Sequence, residues 1–288
     1  MPIDGPIPDW LFSATAIATV FAVMFSLGLA ISLGDFRAAW RQPGLMLKGL
    51  FSVLVAAPAM ALIVTRIANL ERPVEIGIVL MAIAPGAPVA LRRSLSAGGH
   101  RGFAPALQIA VALLAVLAIP LWIAGLDHVY GGNASVDPRH LARQVFIAQL
   151  LPLGLGMLVR HLKETLAESL GARLARITTL LLVILAVLAL LNVWRTVADA
   201  GLHATFAIVA TTALILACGH LLGGPDPATR TALAVVSAAR NPGLALLVAA
   251  VNQADPRIVA TVLAYLIISA LTITPYVVWR RHVAPPPG

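Results

Sequence analysis

Arg240 is the residue whose setting in the sequence points most clearly to chemistry. It lies inside an apolar stretch, residues 229–251, where a charged side chain costs roughly 2.5–3.5 kcal/mol on membrane-insertion scales. Such a charge needs a partner, yet all twelve Asp and Glu residues lie at the ends of apolar stretches or between them. The remaining candidates are free carbonyl groups at the end of the preceding half-helix, which suit a cation, and a bound anion. A structural role and a substrate or gating role both stay open.

Two short segments are expected to interrupt helices. Residues 240–243 read RNPG, and residues 84–88 read APGAP with two prolines three positions apart. Proline removes a backbone donor and clashes with the preceding turn, so we expect both segments to be unwound; two independent kinks are the alternative. Unwound backbone at membrane depth is tolerated where it is buried in protein or lines a wet cavity. The candidate site residues are Pro85, Gly86, Ala87, Pro88, Ser237, Arg240, Asn241 and Gly243.

The composition predicts that this chain is solvated by lipid. Apolar residues make up 60% of it and charged residues 11%, against roughly 45–50% and about 25% in soluble domains. The net charge of +8 does not indicate nucleic-acid binding, because the basic residues lie in short loops between apolar runs. The single cysteine, Cys218, allows no internal disulfide. The seven histidines are scattered and joined by no acidic motif, so neither an enzyme nor a metal site is predicted.

The apolar stretches predict an all-α polytopic membrane protein. A bilayer core needs about 20 apolar residues per helix, and the sequence offers nine such spans. They are residues 12–33, 47–65, 75–95, 103–125, 141–160, 175–194, 203–222, 229–251 and 258–279. Lys and Arg are concentrated in the loops on one side, which predicts an outside N-terminus and a cytoplasmic C-terminus in the cell (inner) membrane.

A polar segment divides the predicted spans into two groups. Residues 161–173 have helical spacing of leucines and are expected to form an amphipathic linker on the inner surface. Residues 1–160 then hold the first five spans and residues 174–280 the last four, followed by a disordered tail at 281–288.

The two predicted interruptions lie five spans apart, so the helices that contain them run in opposite directions. Matched interruptions in oppositely directed spans are typical of inverted-repeat transporters. The sequence therefore predicts a secondary transporter that moves a small solute across the lipid bilayer by alternating access. A non-transporting, sensor-like relative of such a carrier is the alternative. No oligomeric state and no nucleic-acid partner are indicated.

Several motifs resemble the bile acid:sodium symporter superfamily, in particular its nine-helix bacterial-type members. Residues 24–36 read MFSLGLAISLGDF, similar to an early helix of that family, and RQP at 41–43 and Pro58 also fit. Residues 84–88 and 240–245 fall on its two crossover motifs. The resemblance implies a small panel domain, formed by spans one, five and six, beside a core domain whose two broken helices cross near the midplane.

The positions that the resemblance assigns to sodium ligands are occupied by other residue types. The family's Ser-Asn pair of the first crossover falls on Ala90 and Leu91. Its glutamate and glutamine of the second crossover fall on Val236 and Arg240, and a further glutamine falls on Val53.

Asn241 and Gly243 keep their identity at the second crossover. We therefore expect Arg240 to supply a fixed positive charge where sodium would sit, with no cofactor and with transport of an organic anion that does not depend on sodium. Sodium coupling through backbone carbonyl ligands is the alternative.

Overall fold

The structure is a computed structural model that describes residues 8–30, 34, 42–86, 88–129, 143–199, 201–252 and 254–283. Throughout these residues the secondary structure is helical, with no strand. The helices are α1 Asp9–Ala30, α2 Pro43–Ile67, α3 Arg72–Ile83, α4 Pro88–Ser96, α5 Phe103–Val129, α6 Arg143–Leu162, α7 Glu164–Asp199, α8 Gly201–Leu222, α9 Pro227–Ala238, α10 Pro242–Val251 and α11 Pro256–Val283. Helices α2 and α6 each contain a π-helical turn, Ser52–Ala56 and Phe146–Leu150.

Seven helical stretches of the described chain are long and apolar enough to cross a membrane, and they correspond to seven of the nine predicted spans. One of the seven is α9 and α10 taken together, Pro227–Val251. Helix α7 gives an eighth if its two parts, Glu164–Gly171 and Arg176–Leu188, which are bent by 41°, count as one span. The third predicted span, 75–95, forms as the two short helices α3 and α4.

The predicted linker at 161–173 overlaps the end of α6 and the first part of α7, Glu164–Gly171, which is bent by 41° relative to Arg176–Leu188. Its place as an amphipathic linker on the inner surface stays a prediction. One predicted boundary differs from the structure. Residues 281–283, expected in a disordered tail, belong to α11, where Arg281 donates to the carbonyl oxygen of Ser96 over 3.0 Å. Residues 284–288 lie outside the described residues.

Helices α1, α6 and α7 pack against one another. Gly28 of α1 and Gly156 of α6 face each other, and a Cβ atom built on either would clash with backbone of the opposite helix. Small residues allow such close approach between membrane helices, where packing rather than the hydrophobic effect drives association.

The helix pairs α3–α4 and α9–α10 run in opposite directions. After α4, the N–H of His100 donates to the carbonyl oxygen of Ala228 in the first turn of α9, over 3.0 Å. At the other end, Arg257 follows α10 and pairs with Glu71, which precedes α3, over 3.3 Å. The end of α4 therefore lies beside the start of α9, and the start of α3 lies near the end of α10.

Candidate functional site

Both predicted interruptions are confirmed as breaks between helices. Helix α3 ends at Ile83 and α4 begins at Pro88, and between them Gly86 has a φ of +86°. This left-handed conformation favours glycine because it lacks a Cβ atom. Helix α9 ends at Ala238 and α10 begins at Pro242. Proline at the first position of α4 and of α10 starts a helix readily because its missing N–H is not needed there.

The two breaks are in direct contact. The backbone N–H of Asn241 donates to the carbonyl oxygen of Ala84 over 2.9 Å. A donor that has no helical partner at one break is thus hydrogen-bonded to an acceptor at the other. The side chain of Asn241 accepts a hydrogen bond from the N–H of Leu244 over 3.1 Å and thereby caps α10. Arg240 immediately precedes this cap, so its backbone is held where the two breaks meet.

The Arg240 side chain is only 4% exposed, and its Nη1 donates to the carbonyl oxygen of Val53 in α2 over 3.1 Å. We expected the acceptor to be a carbonyl group at the end of α9. That expectation was wrong, because the acceptor belongs to α2. Arg240 instead ties the second break to α2.

The carbonyl of Val53 is available because of Pro58. In the π-helical turn, the N–H of Ala57 donates to the carbonyl of Ser52, five residues back. The corresponding donor for Val53 would be residue 58, but proline has no N–H. An acceptor without a helical partner is therefore left at the position that Arg240 reaches.

The rest of the Arg240 guanidinium has no partner. Its Nε and Nη2 atoms are buried without a hydrogen bond, and so is Nδ2 of Asn241. No carboxylate in the described part of the chain forms an ion pair with Arg240. A buried polar group left unpaired costs about 1–3 kcal/mol, and more if it is charged. Three such donors on two consecutive residues are therefore consistent with a site that a ligand completes.

Arg240 and Asn241 line a cavity of about 260 Å³, although these three donor atoms are themselves buried. Residues of α7, of α11 and of the second break form most of its lining, with Arg93 of α4 added. The walls are largely apolar, for example Leu182, Leu246 and Ile273, and none of the described lining residues is acidic. The cavity thus combines apolar walls with two arginine side chains.

The predicted site residues do not all meet at this cavity. Arg240, Asn241, Pro242 and Gly243 line it. Pro85 and Gly86 are buried at the first break and are not part of its lining.

Ser237 points toward α2, where its Oγ lies 2.9 Å from Oγ of Ser52. Ala87 lies outside the described residues, and Pro88 is described only as the first residue of α4.

Three polar residues near the breaks were not predicted. Gln108 and Gln149 are buried beside Gly86, because a Cβ atom on Gly86 would lie 3.6 and 3.7 Å from their Nε2 atoms. Gln149 also donates to the carbonyl of Ala112 over 3.3 Å. Their signal in the sequence is a lone amide within an apolar span. Arg93 lies within the third predicted span, 75–95, but was not named as a site residue; it follows Pro88 by five positions in α4.

Comparison with known sequences decides the family. The model of the sodium bile acid symporter family matches residues 17–199, more than half of the chain. This chain belongs to the sodium bile acid symporter family. The matched region contains the first break and ends before α9. The family match therefore does not include the second break or Arg240. With its apolar helices, the family assignment makes the chain a multi-pass membrane protein.

The chain is also similar to individual members of the family. It is 29% identical over 154 residues to "Probable sodium/metabolite cotransporter BASS4, chloroplastic" of Arabidopsis thaliana. That alignment covers 52% of this chain and 34% of the relative. It is 25% identical over 156 residues to "Sodium/bile acid cotransporter 4" of Mus musculus, covering 52% and 35%. These alignments thus span about a third of the relatives' length.

Proposed function

We propose that this protein is a secondary transporter of a small organic anion, working by alternating access and without sodium. The observation that carries the proposal is the buried Arg240, whose Nε and Nη2 atoms have no partner and which lines a cavity at the second break. Membership of the sodium bile acid symporter family supports transport as the activity.

The electrostatics of the cavity favour an anion. Arg240 and Arg93 both line it, and no acidic residue of the described chain does. Guanidinium groups present donors in a planar fork that matches a carboxylate. The N-terminus of α10, which also borders the cavity at Pro242 and Gly243, adds the positive end of a helix dipole.

The contacts of Arg240 also argue against sodium coupling at the second break. Its Nη1 already holds the carbonyl of Val53, and its fixed charge repels a second cation. Ala90, Leu91 and Val236, which stand at positions where the resemblance implies sodium ligands, are buried and carry no oxygen in their side chains. We infer that Arg240 holds α2 and the second break together in place of an ion.

Alternating access requires two bodies that move against each other. Helices α1, α6 and α7 pack together, and the cavity lies between α7 on one side and the second break with α11 on the other. We propose that α1, α6 and α7 form the panel and that the broken helices belong to the core. Motion between the two would expose the cavity to opposite sides of the membrane.

We also propose that the protein lies in the cell (inner) membrane with its N-terminus outside and its C-terminus in the cytoplasm. The concentration of Lys and Arg in the loops on one side supports this orientation. A cysteine placed near the C-terminus, in a variant lacking Cys218, should react with impermeant maleimide only after the membrane is broken. Labelling of intact cells would contradict the orientation.

Uptake by proteoliposomes tests the proposed activity. The full chain is purified and reconstituted, and entry of radiolabelled carboxylates of three to six carbons is compared with an inward sodium gradient and with choline in its place. We expect equal uptake in both conditions, above that of empty liposomes. A clear requirement for sodium would contradict the sodium-independent mechanism. Binding seen as a thermal shift, but with no uptake, would favour a non-transporting relative.

A further inference from the structure

We propose that the substrate is a small dicarboxylate, with one carboxylate bound by Arg240 and the other by Arg93; this inference rests on the proposed function. It goes beyond anion selectivity, because it specifies the number of charges on the substrate and their separation. The residues that carry it are the two arginines of the cavity and the apolar wall between them.

Within the described part of the chain, no acidic residue balances the charge of the cavity. Arg240 and Arg93 both line it, and none of the described lining residues is acidic. Neither arginine belongs to an ion pair within the described residues. A monoanion would leave one of the two charges uncompensated in an apolar environment, where charges are costly without a partner. A dianion compensates both.

The two arginines differ in burial and come from different segments. Arg240 is 4% exposed and lies at the break between α9 and α10. Arg93 is partly exposed and lies in the last turn of α4, five residues after that helix begins. Two cations carried by different segments match two separate anionic groups better than one doubly charged group.

The walls and the size of the cavity limit what lies between those groups. Leu182, Leu185, Leu246 and Leu266 contribute apolar surface to the lining. The volume of about 260 Å³ is near the lower end for small-molecule sites, which usually measure roughly 300–1,000 Å³. A short aliphatic chain with a carboxylate at each end fits both constraints.

Arg240 has donors available for one carboxylate. Its Nε and Nη2 are both buried without partners, and they form one edge of the guanidinium plane while Nη1 is held by Val53. Two parallel N–H donors on one edge bind the two oxygens of a carboxylate. Asn241, the next residue in the chain and also part of the lining, has a further unpaired donor, Nδ2.

The test compares acids of equal carbon number in proteoliposomes containing the full chain. Succinate, glutarate and adipate are measured against butyrate, valerate and hexanoate, with empty liposomes correcting for passive entry of the protonated acids. We expect at least one dicarboxylate to exceed its monocarboxylate counterpart in kcat/KM by about tenfold, the effect of ~1.4 kcal/mol. A thermal shift in detergent with the same six acids provides a second readout.

Arg93→Gln is the decisive variant. It should remove most of the preference for dicarboxylates over monocarboxylates. Arg92→Gln is the matched control, because Arg92 is exposed, has the same charge and lies beside Arg93 without lining the cavity. It should leave the preference unchanged.

The outcomes separate the two proposals. Uptake of monocarboxylates with no uptake of dicarboxylates would overturn the dicarboxylate inference and leave anion transport standing. Equal handling of both classes, or a preference that survives Arg93→Gln, would overturn it as well. If none of the six acids is bound or transported by folded protein, the proposed function fails together with the inference.

Discussion

The backbone N–H of Asn241 donates to the carbonyl oxygen of Ala84 over 2.9 Å, and this bond joins the interruptions of two oppositely directed helices. In a lipid environment such backbone groups have no water to bond, so the donor of one break and the acceptor of the other form a hydrogen bond with each other. Since the bond uses backbone atoms only, the side chains at 240 and 241 can be changed without removing it. Their contributions to folding and to binding are therefore separable.

Asn241 is expected to have two functions that different substitutions distinguish. Asn241→Ala removes the cap of α10 and should lower the free energy of unfolding by about 0.5–2 kcal/mol. Asn241→Ser keeps a good capping residue and should remain near wild type in stability. Both variants lose the unpaired Nδ2 donor, so both should bind carboxylates more weakly. Thermal unfolding and ligand-induced thermal shift measure the two effects. Full binding by Asn241→Ser would contradict a role for Nδ2.

Arg240 is expected to contribute to both folding and transport. Arg240→Gln removes the charge and weakens the contact with Val53, so melting temperature and uptake should both fall. Arg240→Lys retains the charge and one donor for Val53, and it should recover part of the stability. It should not recover uptake, because an ammonium group cannot present a planar pair of donors.

Thermal unfolding in detergent and proteoliposome uptake, with Arg92→Gln as the control, measure these differences. Wild-type stability and uptake in Arg240→Gln would leave Arg240 without either role.

Much of the fold was predictable because lipid imposes simple requirements on sequence. Apolar stretches marked seven spans that the structure contains, and the prolines at 85, 88 and 242 marked both breaks. The disordered tail was predicted to begin at residue 281, three residues too early. Residues 281–283 continue α11, where Arg281 donates to the carbonyl oxygen of Ser96, a contact that only packing between helices provides.

The site was only partly predictable. Arg240 was recognisable because a charge inside an apolar span is costly wherever it lies. Its acceptor, Val53, was not, because the carbonyl becomes available through a π-helical turn and is brought near only by packing between helices. Arg93 was not among the predicted site residues, because an arginine near the end of a span ordinarily reaches the membrane interface. In a half-helix as short as α4, even the last turn reaches the cavity.

The contact between α1 and α6 gives a prediction about stability. A Cβ atom on Gly28 would clash with the carbonyl oxygen of Leu153, and one on Gly156 with that of Phe25. Backbone cannot yield as a flexible side chain can, so Gly28→Ala and Gly156→Ala should each destabilise by about 1–3 kcal/mol.

Gly154→Ala is the matched control in α6, because Gly154 is exposed and a Cβ atom there would have no neighbour within 4 Å. Thermal unfolding in detergent compares the three variants. Equal melting temperatures would contradict the close packing of α1 on α6.

Pro58 is expected to act on the site through the backbone. Pro58→Ala restores an N–H that can bond within α2, near the carbonyl that Arg240 uses. Proline in a helix interior costs about 3 kcal/mol, so this variant should not unfold more easily. It should nevertheless transport less, because the new donor competes with Arg240 for Val53.

Pro152→Ala is the control for that substitution. Pro152 follows the π-helical turn of α6 just as Pro58 follows that of α2, and no arginine in the described chain bonds to the carbonyl of Ile147 there. Pro152→Ala should therefore leave uptake largely unchanged.

A double-mutant cycle of Pro58→Ala and Arg240→Gln tests whether the proline and the arginine act on the same carbonyl. If Pro58→Ala supplies Val53 with a donor, Arg240→Gln should cost less stability in that background than in the wild type. Additive losses would show that the proline and the arginine act independently.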